Sequence, residues 1–207
     1  MTEIFDISPL IHPGIAVWPG DVSFRREVTC AIAEGANIDL SAITTTVHVG
    51  AHTDAPSHYA GDGQTMHERS LAPYLGPCQV VRVEVARGER ILPAHVTVDI
   101  EAPRVLFHTG SFPDPDHFNE DFCSLSPELV RWLHSAHDVV LVGIDTPSVD
   151  PCHSKALETH QALAATDMAV LEGILLDHVT PGQYTLIALP LKLQGADASP
   201  VRAILTR

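Results

Sequence analysis

Positive charge is scarce in this sequence and is not clustered anywhere along it. The chain has 12 Lys and Arg residues against 26 Asp and Glu residues, which gives a formal net charge of -14. Nucleic acids and anionic membrane surfaces attract basic patches, so neither is expected as a partner. The composition favours a small-molecule substrate instead.

Long apolar runs and closely spaced cysteine pairs are also missing. No run reaches membrane-spanning length, and no basic region followed by an apolar stretch opens the chain, so we expect a cytoplasmic protein without a secretory signal. The four cysteines are Cys30, Cys78, Cys123 and Cys152. None of them forms a CxxC motif, so we expect free thiols and assign them no disulfide or metal role.

The length and the apolar content are sufficient for one hydrophobic core. With 207 residues and 45% hydrophobic content, the chain is expected to form a single domain spanning residues 1–207.

Three histidines and one aspartate stand close together in the segment Thr44–Tyr59. They are His48, His52, Asp54 and His58. All four positions are even-numbered, so an extended backbone would direct them to one face. Imidazole nitrogen and carboxylate oxygen suit zinc or manganese, and a set of three ligands leaves a coordination position for water. The segment therefore predicts a catalytic metal site.

The spacing of His48 and His52 would also align them on a helix, as in HExxH sites. The β-branched residues before Gly50, together with Gly50 and Pro56, favour the extended alternative. A straight strand would separate the two Cα atoms by roughly 13 Å, so we expect a bend near Gly50. His58 could be a further ligand or a proton carrier, and the other histidines outside this segment, apart from His160, are assigned no function.

Two further residues are candidates for a role in the site. Trp18 lies in a turn rich in proline and glycine, where it could plug the core or form a flat wall for a planar ligand. Glu172 interrupts the apolar run after Met168. A carboxylate there costs several kcal/mol unless it is paired or bound to metal, although a helical phase would turn it to water.

Alternating and continuous apolar runs predict a mixed α/β sheet. Strands are expected at Ile4–Ile11, Phe24–Ile32 and Asn37–Val49 (as a hairpin), Cys78–Val85, Arg104–His108, Asp138–Ile144, Tyr184–Leu191 and Ser199–Leu205. Helical segments are expected at Met66–Leu71, from the Ser126 cap to His137, and at Lys155–Ala165. Residues 109–123 are predicted to form a loop that covers the substrate.

The run H-V-G-A-H-T-D-A-P-S-H-Y at 48–59 resembles the signature H-x-G-T-H-x-D-x-P-x-H-[FY] of the metal-dependent cyclase-like hydrolase family, departing only at Ala51. Further blocks narrow the resemblance to the bacterial kynurenine formamidases (arylformamidases) of that family. These are W-P-G-D at 18–21, G-I-D-T-P-S-V-D-P at 143–151, S-K-x-L-x-x-H ending at His160, A-V-L-E-G around Glu172, and A-L-P-L-K-L with D-A-S-P-V-R-A near the end. Together they span almost the whole chain.

The resemblance implies a binuclear site, typically of zinc, two ions per subunit. Its ligands would be His48, His52 and Asp54 on the first ion, and Asp54, His160 and Glu172 on the second. His58 would act as the acid/base residue and Trp18 would contact the substrate. The implied fold is a mixed α/β arrangement of the swivelling β/β/α type, usually in homodimers or larger assemblies. The departure at Ala51 removes a threonine hydroxyl without changing the ligand set.

The implied reaction is hydrolysis of N-formyl-L-kynurenine to L-kynurenine and formate, a step of tryptophan degradation. A related amidohydrolase that opens a cyclic amide such as isatin, or acts on another aryl formamide, would use the same metal core. A metal-binding protein without catalytic activity is the alternative from a different class.

Overall fold

The computed structural model describes residues 2–207. The strands, in chain order, are β1 (Ile4–Asp6), β2 (Arg25–Cys30), β3 (Leu40–Thr44), β4 (His52–Asp54), β5 (Leu75–Arg82), β6 (Arg90–Ile91), β7 (Arg104–His108), β8 (Ser124–Leu125), β9 (Leu141–Ile144), β10 (Ala169–Leu171), β11 (Gly182–Ile187), β12 (Ala198–Pro200) and β13 (Ile204–Thr206). The α-helices are α1 (Pro127–His137) and α2 (Glu158–Thr166). Single 3-10 turns lie at Ile32–Glu34, Pro56–His58, Met66–Glu68, Ala72–Tyr74 and Pro93–His95.

One mixed sheet of 7 strands forms the frame of the molecule, in the order β1-β13-β11-β5-β7-β9-β10. Within this sheet β5, β7, β9 and β10 run parallel to one another, whereas β11, β13 and β1 continue the sheet in antiparallel pairs. The predicted α/β fold with a mixed sheet is therefore confirmed.

Both faces of the sheet are buried around β7, which explains why its three central residues are apolar. Its side chains alternate, so Leu106 packs on one face while Val105 and Phe107 pack on the other. Leu129 of α1 and Leu163 of α2 belong to the second of these cores. The predicted strand Arg104–His108 has the bounds that the structure gives.

The predicted helix after Ser126 is also confirmed. The Ser126 hydroxyl accepts a hydrogen bond from the Leu129 amide at 3.0 Å, and Pro127 occupies the first turn. The helix ends at His137 because Asp138 adopts a left-handed backbone conformation, with φ of 52°.

Several predicted elements are shorter than expected. Strand β1 ends at Asp6, whose carboxylate accepts a hydrogen bond from the Ser8 amide, and Pro9 has no amide hydrogen to continue the ladder. The predicted strand Ser199–Leu205 is wrong as one element, because β12 pairs with β4 whereas β13 joins the main sheet. The predicted helix Met66–Leu71 is a single 3-10 turn.

The hairpin of β2 and β3 forms as predicted, and its side chains are almost all exposed.

None of the helices among residues 2–207 has both the length and the apolar character of a membrane-spanning segment.

Strand β4 is attached to the end of β10 by a close approach of two backbones. The amides and carbonyls of His52 and Glu172 exchange hydrogen bonds of 2.9 and 3.0 Å. A Cβ atom on Gly173, which has φ of +65°, would lie 2.3 Å from the carbonyl oxygen of Gly50. Only glycine fits there, and this contact places His52 beside Glu172.

Candidate metal centre

The candidate site lies where β9 and β10 end. Glu172 directly follows β10, and Asp150 stands in the turn that follows β9. His52 and Asp54 come from β4, and His160 is in the first turns of α2. Side chains at the carboxyl ends of adjacent parallel strands meet at one edge of the sheet, which is a common position for ligand sites in α/β folds.

The extended backbone predicted for the histidine segment is confirmed at β4 and wrong at His48 and His58. His48 lies in a turn, and His58 ends the 3-10 turn Pro56–His58. The predicted bend is present, because Gly50 has φ of +60°. The bend folds His48 back, so that its Nδ1 atom lies 3.0 Å from Oδ1 of Asp54.

Five of the predicted residues come together into one cluster, which we call the inner cluster. It consists of His48, His52, Asp54, His160 and Glu172. Their donor atoms form two groups, His48/His52/Asp54 and Asp54/His160/Glu172, and within each group all of these atoms lie within 4.8 Å of one another. Asp54 belongs to both groups.

The contacts within the inner cluster follow this division. Oδ1 of Asp54 faces His48 and His52, at 3.0 and 3.7 Å, whereas Oδ2 lies 3.4 Å from Nε2 of His160. Glu172 lies between the two groups, with Oε2 3.2 Å from Nε2 of His52 and Oε1 3.7 Å from Nε2 of His160.

Two buried polar atoms of the inner cluster lack a hydrogen-bond partner. They are Oδ1 of Asp54 and Nε2 of His160. The short contact of Oδ1 with His48 does not have hydrogen-bond geometry. A buried polar group left unpaired costs about 1–3 kcal/mol, so these atoms need a further partner. Imidazole nitrogens and carboxylate oxygens around a common point fit a divalent ion such as zinc.

Opposing charges shift the ionisation of the inner cluster. Burial by itself would lower the pKa of His48 and His160, but the hydrogen bonds that they donate to neighbouring carboxylates, and the negative charges there, outweigh it and raise their pKa to about 9 and about 10. Burial by itself would raise the pKa of Asp54, but the imidazoles of His160 and His48 in close contact with it hold that pKa well below its usual value. Without a metal ion, protons on His48 and His160 offset the charge of the carboxylates. A divalent cation would replace those protons.

Hydrogen bonds outside the cluster fix the orientation of its rings. Nδ1 of His52 donates to the carbonyl oxygen of Gly50 at 2.9 Å, which leaves Nε2 as the ring nitrogen that faces the carboxylates. Nδ1 of His160 lies 2.8 Å from Oδ2 of Asp150. The amides of Thr159 and His160 also donate to Asp150, and the Val149 amide donates to Glu172 at 2.7 Å. Such partners set the tautomer and the basicity of ligating histidines.

Asp197 is a further residue of the candidate site, and the sequence reasoning missed it. Its Oδ2 atom lies 3.0 Å from Nε2 of His48 and 3.2 Å from Nδ1 of His58. It stands just before β12, which pairs with β4 and brings Asp197 to the cluster. The only signal was its place in the block D-A-S-P-V-R-A, which was used for the resemblance and not for the site.

A cavity of about 560 Å³ opens onto the inner cluster. Trp18, Phe112 and Phe118 line it, and Trp18 also packs edge-on against Phe118 with ring centroids 5.4 Å apart. Trp18 is therefore both a packing residue and part of the cavity wall. Phe112, Pro115 and Phe118 come from the loop that was expected to cover the substrate.

The sequence model of a family described as putative cyclase matches residues 5–151. The chain belongs to the putative cyclase family. This confirms the resemblance read from the histidine signature at the level of the family.

Solved structures of similar proteins extend the likeness over the whole chain. A potential metal-dependent hydrolase with cyclase activity is 28% identical, with a TM-score of 0.84, over 100% of this chain and 98% of that chain. A predicted metal-dependent hydrolase from Bacillus stearothermophilus is 26% identical, with a TM-score of 0.82 and the same coverage of both chains. Isatin hydrolase A from Labrenzia aggregata, at 23% identity and a TM-score of 0.81 over 99% and 93% of the two chains, shares the putative cyclase fold.

Proposed function

We propose that this chain is a metal-dependent arylformamidase that hydrolyses N-formyl-L-kynurenine to L-kynurenine and formate. The observation that carries the proposal is the inner cluster, in which Asp54 is shared by two groups of donor atoms at the end of a cavity walled by aromatic rings. Similar structures described as metal-dependent hydrolases support hydrolysis as the type of reaction.

Two zinc ions per subunit are the proposed cofactors, with manganese or another divalent ion as the alternative. His48, His52 and Asp54 would hold one ion, and Asp54, His160 and Glu172 the other. When bound, such ions polarise a carbonyl group and lower the pKa of water to about 7, which makes amide hydrolysis possible near neutral pH. The unpaired buried atoms of Asp54 and His160 support this assignment.

His58 is proposed to carry the proton that the reaction moves. The formyl carbon gains a hydroxyl group from water, the carbon–nitrogen bond breaks, and the arylamine nitrogen must gain a proton. His58 lines the cavity, is more exposed than the inner cluster, and has its Nδ1 held near Asp197. Its Nε2, 4.0 Å from Oδ2 of Asp54, is free to accept a proton near the cluster and return it to the nitrogen.

The aromatic wall is proposed to bind the aryl ring of the substrate. This wall consists of Trp18, Phe112 and Phe118, which line a cavity whose volume lies in the usual range for small-molecule sites. A planar arylamine placed against Trp18 would direct its formyl group toward the inner cluster.

Hydrolysis of a cyclic amide such as isatin is the second candidate, since isatin hydrolase A shares this fold. Other aryl formamides are further candidates, because the proposed metal core and aromatic wall suit them equally. A metal-binding protein without catalytic activity is less well supported, because a large cavity reaches the inner cluster and leaves it accessible to a substrate.

A homodimer in the cytoplasm is the proposed state of the protein. Val28, Leu40 and Ile43 on the β2–β3 hairpin are 52%, 50% and 64% exposed, and a two-stranded ribbon is marginally stable by itself. A second copy of this chain would cover these side chains.

All four cysteines are free thiols, which suits a reducing compartment such as the cytoplasm.

The substrate assignment is tested by measuring initial rates on N-formyl-L-kynurenine, on a simple aryl formamide and on isatin with the same zinc-loaded preparation. The proposal expects formate release from N-formyl-L-kynurenine to have the highest kcat/KM. Faster opening of isatin would replace the formamidase assignment with the cyclic-amide alternative. No hydrolysis of any of them would leave the metal-binding alternative.

A further inference from the structure

A second group of metal-binding side chains lies at the edge of the cavity, outside the inner cluster. It consists of Glu120, Cys152 and His153, which we call the rim triad. A carboxylate oxygen, the Cys152 sulfur and an imidazole nitrogen all lie within 4.8 Å of one another. Cys152 lines the cavity, whereas Glu120 and His153 are exposed.

The donor atoms of the rim triad are those that zinc prefers. Nε2 of His153 lies 3.3 Å from Oε2 of Glu120. Two ligands bound at about 2.0 Å in a tetrahedral arrangement are separated by about 3.3 Å, so this pair already has the spacing that zinc requires. Sulfur binds at about 2.3 Å, and the exposed side chains can rotate to close the remaining distance.

An ordinary ion pair explains only part of this arrangement. An exposed histidine–glutamate contact contributes about 0–1 kcal/mol and needs no third partner. The thiol beside it is neither in a disulfide nor in the hydrophobic core. Three donors of different chemistry, drawn from two separate segments, are what a zinc site with an open fourth position contains.

The rim triad connects the two segments that border the cavity. Glu120 belongs to the loop of residues 109–123, which we call the aromatic loop, and it lies between Phe118 and Phe122, which pack against Trp18. Cys152 and His153 follow Asp150, whose carboxylate orients His160. An ion held by all three side chains would tie the aromatic loop to this turn across the edge of the cavity.

We propose that the rim triad binds a third zinc ion, separate from the inner cluster, and that this ion restricts access to the cavity. Zinc then has two opposite effects. It supports the reaction at the inner cluster and inhibits it at the rim when in excess. The inhibition rests on the proposed function, whereas the binding does not.

Cobalt(II) tests the binding directly. Protein whose inner cluster has been filled with zinc is titrated with cobalt(II) chloride in the presence of a phosphine reductant. The inner cluster has no sulfur donor, so a thiolate-to-cobalt absorption band in the near ultraviolet reports the rim triad alone. We expect the band to saturate at one equivalent, to vanish in C152S, and to need at least about tenfold more cobalt in H153A and E120Q.

C30S is the matched control, because Cys30 is a free, partly exposed thiol outside any group of donor atoms. It should keep the band at full intensity. Absence of the band in the unaltered protein, or its persistence in C152S, would overturn the rim site.

The inhibition is tested by measuring formate release while zinc chloride is raised beyond the amount that fills the inner cluster. Rates should fall in the unaltered protein and in C30S, and stay level in C152S and H153A. A cobalt band with no zinc inhibition would overturn the restriction of the cavity while keeping the site. If N-formyl-L-kynurenine is not a substrate, the cobalt spectra still decide whether the rim triad binds metal, so the two proposals fail separately.

Discussion

Replacing Glu172 with glutamine removes one negative charge from the inner cluster and leaves its shape unchanged. Glu172 is 2% exposed, and its Oε1 atom accepts a hydrogen bond from the Val149 amide. The glutamine carbonyl can keep that bond. Its amino group then takes the place of Oε2, which lies 3.2 Å from Nε2 of His52. The amide therefore fits the fold but lacks the negative charge that a metal ion in the group Asp54/His160/Glu172 would need.

The expected loss is specific to the second ion. The carboxylate that lies 3.7 Å from His160 becomes a neutral amide, so we expect affinity for that ion to fall by at least about 100-fold, or about 2.7 kcal/mol. The free energy of unfolding of the metal-free protein should change much less, because the hydrogen bond to Val149 remains.

The measurement is metal content per subunit after dialysis against low free zinc, with the midpoint of thermal unfolding recorded with and without zinc. The unaltered protein should retain two ions and E172Q one. E84Q is the control, because the Glu84 side chain is 88% exposed on the surface. Two tightly held ions in E172Q would refute the assignment of Glu172 as a ligand.

Three further predictions concern the proton carrier, the aromatic wall and the ionisation of the cluster. H58A should bind two ions yet lose about 10²–10⁴-fold in kcat, and unchanged turnover would remove His58 from the mechanism. W18A should raise KM for the formamide more than W18F does, and equal KM values would argue against an aromatic contact. The metal-free protein should lose stability as pH rises from about 6.5 toward 10. The folded-state pKa values of His48 and His160, about 9 and about 10, exceed the usual 6.5, so their contribution is complete below 6.5 and disappears through those values. Urea unfolding with chelator present at several pH values measures this, and stability that rises over that range would contradict it.

Local patterns predicted much of the fold because they depend on near neighbours in the chain. Ser126 and Pro127 define the start of α1 through contacts within one turn. The apolar run at Arg104–His108 predicts a strand buried on both faces. The histidine spacing and the bend at Gly50 were also readable locally, since a straight strand would have kept His48 and His52 too far apart.

The remaining features depend on contacts between distant segments. Asp197 reaches His58 only because β12 pairs with β4, and no spacing rule encodes that pairing. Asp150 acts on His160 through the turn that follows β9. The rim triad was overlooked for the same reason, because Glu120 is distant in sequence from Cys152 and His153, which were assigned no role.

The most direct test of the central claim is a zinc titration of chelated protein with formate release from N-formyl-L-kynurenine as the readout. The account predicts negligible rates without metal and full recovery at two equivalents of zinc per subunit, with the metal content checked at each point. Full-speed formate release from protein shown to contain no metal would contradict it.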